Sequence, residues 1–315
     1  MVNDLPISIA VLVPCYNEAT TIAKVVSDFR LALPDARIIA FDNNSTDGTA
    51  ECAKAAGAEV VKVLLQGKGN VVRRMFADID ADVYVMVDGD ATYDAGAAPA
   101  LIEQLVDGNL DMVVGSRVSD EEAAYRAGHR FGNVMLTQCV ATIFGRTFKD
   151  MLSGYRVFSR RFAKSFPAES AGFETETELT VHALGMRMPS AEIQTQYFSR
   201  PEGSESKLST YRDGFRIAIM IMKLVKTERP FVFFTTGFVL CLMLAIVLAI
   251  PLLETYAQTG LVPRLPTAIL SSALVLLGSI LLVCGLVLDT VTRGRRESKR
   301  FAYLSVPGIR SKLTR

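Results

Sequence analysis

The chain has 315 residues, half of them hydrophobic, with 34 Lys and Arg against 33 Asp and Glu. A balance this close to neutral excludes the basic excess of a nucleic-acid binder, so no nucleic-acid partner is expected. The five cysteines (Cys15, Cys52, Cys139, Cys241, Cys284) are odd in number and form no CxxC pair, which excludes a disulfide framework and a cysteine zinc site.

The opening residues lack a basic stretch followed by a long apolar one, so no signal peptide is expected and the first domain is placed in the reducing cytoplasm. From residue 7 onward short apolar runs alternate with helical patterns. Strands are predicted at 7–13, 37–41, 59–64, 83–87 and 111–115, and helices at 19–33, 46–56, 70–79 and 96–106. This alternation predicts an α/β domain with a mostly parallel sheet. Ligands of such sheets bind beyond the carboxyl ends of the strands, and the residues there are polar: Pro14-Cys15-Tyr16-Asn17-Glu18, the turn from Asp42 through Asn44 to Gly48, Asp88-Gly89-Asp90, and Ser116-Arg117. Two carboxylates one residue apart after a strand suit a magnesium or manganese ion shared with a diphosphate; a plain acidic turn is the alternative. Asp42 can accept from a base or ribose edge, and the same turn can cap the following helix. Gly67-Lys68-Gly69 offers a cation at a close backbone approach, or an ordinary loop.

Toward the C-terminus, residues 231–253 and 265–288 carry no charge, and each is long enough for the roughly 20-residue hydrocarbon span. Lys223, Lys226 and Arg229 precede them, while Arg293, Arg295, Arg296, Lys299 and Arg300 follow; the 254–264 loop has one basic residue. The positive-inside rule puts both termini in the cytoplasm. In 208–229, Arg212, Arg216, Lys223 and Lys226 fall opposite Ile217, Ile221, Leu224 and Val225, which suits a helix lying in the headgroup layer or packed on the domain. The expected layout is a catalytic domain at 1–207, a juxtamembrane helix at 208–229, two spans within 230–290 and a basic cytoplasmic tail at 291–315.

The ordered set Pro14-x-Tyr16-x-Glu18, Asp42-Asn43-Asn44-Ser45-Thr46-Asp47-Gly48-Thr49 and Asp88-x-Asp90 resembles glycosyltransferase family 2 over about residues 7–210. The resemblance implies a GT-A, nucleotide-diphospho-sugar transferase fold. It implies that Pro14, Tyr16, Glu18 and Asp42, with Asn44 and Lys68, hold the nucleotide sugar, and that Asp88 and Asp90 manage the metal and diphosphate. The arginine-rich remainder (Arg117, Arg130, Asn133, Ser153-Gly154-Tyr155-Arg156, then Arg200 and Lys207) is similar to the polyprenyl- and dolichyl-phosphate sugar transferases. By that likeness Arg117, Arg200 and Lys207 contact phosphates of donor or acceptor, and Arg130, Asn133, Ser153 and Arg156 take the acceptor phosphate, a task suited to the guanidinium fork.

The implied reaction is an inverting, metal-dependent transfer from a UDP- or GDP-sugar to polyprenyl phosphate, undecaprenyl phosphate in a bacterial inner membrane. UDP is favoured because a two-span anchor resembles bacterial undecaprenyl-phosphate glucosyltransferases. Glu174, Glu176 and Glu178 serve either as a general base or as first-turn carboxylates favoured by the helix dipole; a phosphate acceptor, mostly dianionic at neutral pH, needs no base. Transfer to a lipid hydroxyl and a non-catalytic nucleotide-sugar-binding scaffold are the other readings. A processive polysaccharide synthase is excluded, since its QxxRW motif needs a Trp and the chain has none. His129 and His182 lack ligand spacing and are read as structural. Self-association through the two spans is left open.

Overall fold

A computed structural model describes residues 7–118, 137–145, 148–170, 174–200, 219 and 221–309. The chain divides into two compact units, Met1–Ile217 with Ser298–Arg315, and Ala218–Glu297.

The first unit is built on a seven-stranded sheet of order β3-β2-β1-β4-β6-β5-β7. Its strands are β1 (Ile9–Cys15), β2 (Arg37–Asp42), β3 (Glu59–Lys62), β4 (Val83–Met86), β5 (Met112–Val118), β6 (Arg156–Ser159) and β7 (Ser190–Gln196). Pairing is parallel except where β6 runs against β4 and β5. Helices α1 (Ile22–Ala32), α2 (Thr49–Ala55), α3 (Lys68–Asp78) and α4 (Ala98–Asp107) connect the first five strands. The mostly parallel sheet expected from the sequence is therefore present, with β6 running antiparallel to its neighbours. Central β4 is buried along its whole length, which explains its unbroken apolar run. Helix α1 turns Ile22, Val25, Val26 and Phe29 into the core, the i, i+3, i+4, i+7 stripe of an amphipathic helix.

Beyond β5 the sequence signals are weaker: β6, α5 (Arg160–Ser165) and β7 are additions made by the structure, while α6 (Thr175–Gly185) is the helix whose first turn was expected at Glu174–Glu178. His182 on α6 is buried, with Nε2 3.2 Å from Ser165 Oγ and Nδ1 unpartnered. Burial, then the charge of Lys299, lowers its pKa to about 3, so it is neutral at physiological pH and structural. His129 lies outside the described residues. Because the unfolded histidine protonates near 6.5 and the folded one near 3, the unfolded state gains protons first on acidification. Stability held above pH 6.5 should fall by about 1.4 kcal/mol per pH unit below it. The melting midpoint of His182→Gln should drop less between pH 7 and pH 5 than that of the parent; equal drops would remove His182 from the acid response.

The second unit contains two helices long and apolar enough to cross a membrane, most of α7 (Pro230–Thr259) and the first part of α8 (Leu265–Leu304). Leu244, Ile246, Val247, Leu276, Ile280 and Val283 are all exposed, the reverse of buried core helices. Gly260, left-handed at φ 69°, stops α7. Small residues allow close packing: a Cβ on Gly278 would lie 3.1 Å from the Phe238 ring, and one on Gly285 3.0 Å from Phe234 Cβ. Glu228 receives Arg296 at 2.9 Å and Arg295 at 3.5 Å. Residues 291–304, expected as the start of a tail, continue α8, with Arg293 paired to Asp289 one turn earlier. Of the expected juxtamembrane helix, 208–218 and 220 lie outside the described residues, while 221–228 are helical.

The chain end returns to the first unit. Tyr303 donates to the fully buried Asp111 at 2.9 Å, Arg161 reaches the same carboxylate at 2.5 Å and covers the Tyr303 ring, and Ile309 enters the core.

Candidate active site

The strand order places the carboxyl ends of β3, β2, β1 and β4 side by side, and most sequence-predicted residues gather there. After β1 the chain turns through Asn17, left-handed at φ 52°. The loops after β1 and β2 are laced together: Asn17 N–H donates to Ser45 Oγ, Thr46 N–H to Asn17 Oδ1, Glu18 N–H to Thr49 Oγ1 and Ala19 N–H to Asp47. Pro14 and Glu18 are half-buried and Tyr16 is exposed on this rim. Asp42 is buried and accepts from Ser45 N–H at 3.2 Å within its own turn; the cap that the sequence offered to α2 from Ser45 or Thr46 is not made, since Gly48 stands at the N-cap with no side-chain bond.

Asn43 and Asn44 hold the next loop. Asn43 Nδ2 donates to the Val63 and Leu65 carbonyls, its Oδ1 accepts from Gly67 N–H, and Asn44 Nδ2 donates to the Leu64 carbonyl at 2.7 Å. These bonds fix the start of α3, so Asn44, expected in the donor site, positions Lys68. Gly67, at φ 122°, supplies the backbone shape.

Lys68 lies between two carboxylates, its Nζ 2.5 Å from Asp88 Oδ1 and 2.5 Å from Glu176 Oε1. Burial alone would lower its pKa, but Asp88 and then Glu176 outweigh that and raise it above the ordinary lysine value. Asp90 is buried; its Oδ1 accepts from Thr92 Oγ1 at 2.6 Å and its Oδ2 from Arg200 at 2.8 Å. Thr21 Oγ1 donates to the Gly89 carbonyl at 2.7 Å, tying this turn to α1. Asp88 rests on the backbone of Gly154, where a Cβ would fall 2.3 Å from Asp88 Oδ2. The two carboxylates are hard oxygen donors held at one strand end. No cluster of three metal-ligating side chains occurs among the described residues. Such a set fits a magnesium or manganese ion that takes one or two carboxylates and completes its shell with water and substrate phosphate.

Other expected residues take different parts. Arg117 lies at the end of β5, gripped by Asp150 at 2.6 and 2.8 Å, and Asp150 is held through its N–H by Glu192. Asp150 was missed in the sequence because nothing local marks it. Ser153 and Arg156, expected to bind the acceptor phosphate, are fully buried. Ser153 Oγ donates to the Gly115 carbonyl, and the Arg156 guanidinium donates to the Ser153 and Met151 carbonyls and Thr180 Oγ1. Both join β5, β6 and α6, with their side chains closed off from the surface. Glu178 is spent on Glu169 N–H, Ser170 N–H and Ser170 Oγ. Arg130, Asn133 and Lys207 lie outside the described residues.

The family model for glycosyl transferase family 2 matches residues 10–165. Glycosyltransferase AglJ of Haloferax volcanii is 36% identical over 299 residues, 94% of this chain and 97% of that protein. The dolichyl-phosphate hexose transferase of the same organism is 28% identical over 70% of this chain and 95% of its own length. Among solved structures, glucosyl-3-phosphoglycerate synthase from Mycobacterium tuberculosis, in complex with Mn2+, UDP-glucose and phosphoglyceric acid, aligns over 70% of this chain and 79% of its own with a TM-score of 0.58 and 22% identity, a likeness of fold.

Proposed function

This chain belongs to glycosyl transferase family 2 and is a glycosyltransferase, and from that premise we propose that it moves a sugar from a nucleoside-diphosphate sugar to polyprenyl phosphate at a membrane. The observation that carries the reading is the pairing of Asp88 with Lys68 and Asp90 with Arg200 at the donor end of the sheet, in a chain that continues into two candidate spans. The name of the dolichyl-phosphate relative supports a lipid-phosphate acceptor. Complexes with Mn2+ and UDP-glucose on this fold support the donor class and the metal.

In the proposed reaction an acceptor phosphate oxygen bonds to the anomeric carbon as the bond from that carbon to the diphosphate oxygen breaks, releasing the nucleoside diphosphate with inversion. Asp88 and Asp90 would hold magnesium or manganese, which supplies charge neutralisation on the leaving group. Lys68 and Arg200 add cationic charge beside them, and Arg117, oriented by Asp150, lies near the end of β5, with β6 between that strand and β4. Tyr16, Glu18 and Asp42 form the nucleoside rim. A dianionic phosphate, with a second pKa of about 6, attacks without a base. The rival lipid-hydroxyl acceptor needs a carboxylate to take its proton, yet Glu176 is ion-paired and Glu178 is bound to backbone.

For the orientation, the basic residues that flank both spans, Lys223, Lys226 and Arg229 before and Arg293, Arg295 and Arg296 after, favour both ends on the cytoplasmic side of a bacterial inner membrane by the positive-inside rule. The test is full-length protein in nanodiscs with undecaprenyl phosphate, Mn2+ and a panel of UDP- and GDP-sugars. One sugar should pass to the lipid phosphate, and a cysteine placed at Leu261 should react with impermeant maleimide only from outside the cell. Transfer to diacylglycerol but not to the phosphate would replace this reading with the hydroxyl one.

A further inference from the structure

We infer that Lys68 is a built-in counter-ion that competes with the metal for Asp88, and that Glu176 is the positioning residue that retains Lys68 when the metal takes that carboxylate. The inference rests on the proposed metal-dependent transfer and goes beyond it by assigning Glu176 a part other than base.

Three observations carry it. The Lys68 ammonium is 2.5 Å from one oxygen of each carboxylate, so it bridges the two. Glu176 is buried, at 7% side-chain exposure, and Lys68 is mostly covered, at 12%, which makes an unpaired charge costly for either. The nearby Arg156 guanidinium places its hydrogen bonds on Ser153, Met151 and Thr180 and acts on Glu176 only through space, which leaves Lys68 as the cation in direct contact with that carboxylate.

When a divalent cation binds Asp88, the lysine loses that partner and faces a like charge. Without Glu176 it would be driven from the site or would resist the metal. With Glu176 it stays within reach of the diphosphate that arrives with the cation. Lys68 and Glu176 together carry no net charge, so the pair can persist in both states.

The test is binding of Mn2+ alone, without nucleotide, to the full-length protein, read from the electron paramagnetic resonance of unbound Mn2+. Lys68→Met should tighten Mn2+ binding about tenfold, since Asp88 loses its competitor. Glu176→Gln should weaken it about tenfold, since Lys68 then commits to Asp88. The decisive variant is Lys68→Met with Glu176→Gln, which removes the buried charges as a pair and spares the fold. There the glutamine should have no further effect, because Glu176 acts only through Lys68. Sugar transfer by Glu176→Gln should recover to within severalfold of the parent at saturating Mn2+.

Unchanged Mn2+ affinity in both single variants would overturn the inference, as would an equal weakening by glutamine with and without Lys68, which marks direct metal contact. A loss of a hundredfold or more in Glu176→Gln at saturating Mn2+, with affinity unmoved, would also overturn it and make Glu176 the base. Failure of the parent protein itself to bind Mn2+ would instead strike the metal-dependent reading, and this inference with it.

Discussion

Replacing Asp90 by alanine is expected to lower sugar transfer by about a thousandfold or more, equivalent to ~4 kcal/mol of transition-state stabilisation, while the protein stays folded. Asp90 is one of the two oxygen donors at the end of β4, and its geometry is doubly fixed, by Thr92 on one oxygen and Arg200 on the other. Alanine removes both a proposed metal ligand and an anchor of Arg200, so charge building on the leaving diphosphate would lose two sources of relief at once. The cost to the fold is small by comparison. Arg200 is about a third exposed, so its ion pair is screened and contributes at most about 1 kcal/mol, and the hydrogen bond from Thr92 adds about as much. Initial rates at saturating Mn2+, taken with circular dichroism and melting curves, separate these effects. A folded variant that keeps activity within tenfold of the parent would take Asp90 out of the catalytic centre.

The half of the site nearest the N-terminus was legible in the sequence because parallel α/β units are local. An apolar strand, a polar turn and an amphipathic helix follow one another within some thirty residues, so Pro14, Asp42 and Asp88 announce themselves by position. Even there the detail shifts. The resemblance sets Asn44 against the nucleotide, yet its amide holds the Leu64 carbonyl and so aims Lys68. The later half depends on long-range pairing that no local period reports. Strand β6 is four residues long, opens on a buried arginine and shows no alternation, and β7, Ser-Ala-Glu-Ile-Gln-Thr-Gln, alternates but with only Ala191 and Ile193 as apolar residues, a weak strand signal. Arg156 illustrates the consequence. In the sequence a Ser-Gly-Tyr-Arg stretch resembles a phosphate motif, but the antiparallel return of β6 between β4 and β5 turns that arginine inward. Tyr303 was similarly hidden, since its partner Asp111 is nearly two hundred residues away.

What the stretch contributes instead is Gly154, and alanine there should cut sugar transfer about a hundredfold without loosening the fold. The added Cβ would sit 2.3 Å from Asp88 Oδ2 and 2.8 Å from its Cγ, closer than atoms tolerate, so the carboxylate must swing away. A displacement of about 1 Å in a group that organises the reaction is enough for a loss of that size. The backbone has no comparable objection: Gly154 is not among the positive-φ residues, and its N–H bond to Tyr93 Oη at 2.9 Å survives a methyl group. An alanine compatible with its backbone narrows the unfolded ensemble and adds about 0.4–1 kcal/mol of stability, against which the contact with Asp88 works. The melting midpoint should therefore hardly move while kcat falls and the Mn2+ requirement rises. Gly57 is the matched control, with φ 92° and nothing within 4 Å of an added methyl group. Alanine at 57 is strained in the backbone and should cost about 1 kcal/mol of stability with sugar transfer intact. If the two substitutions lowered melting and activity in parallel, Gly154 would be a folding residue and the close seat of Asp88 would have no part in the reaction.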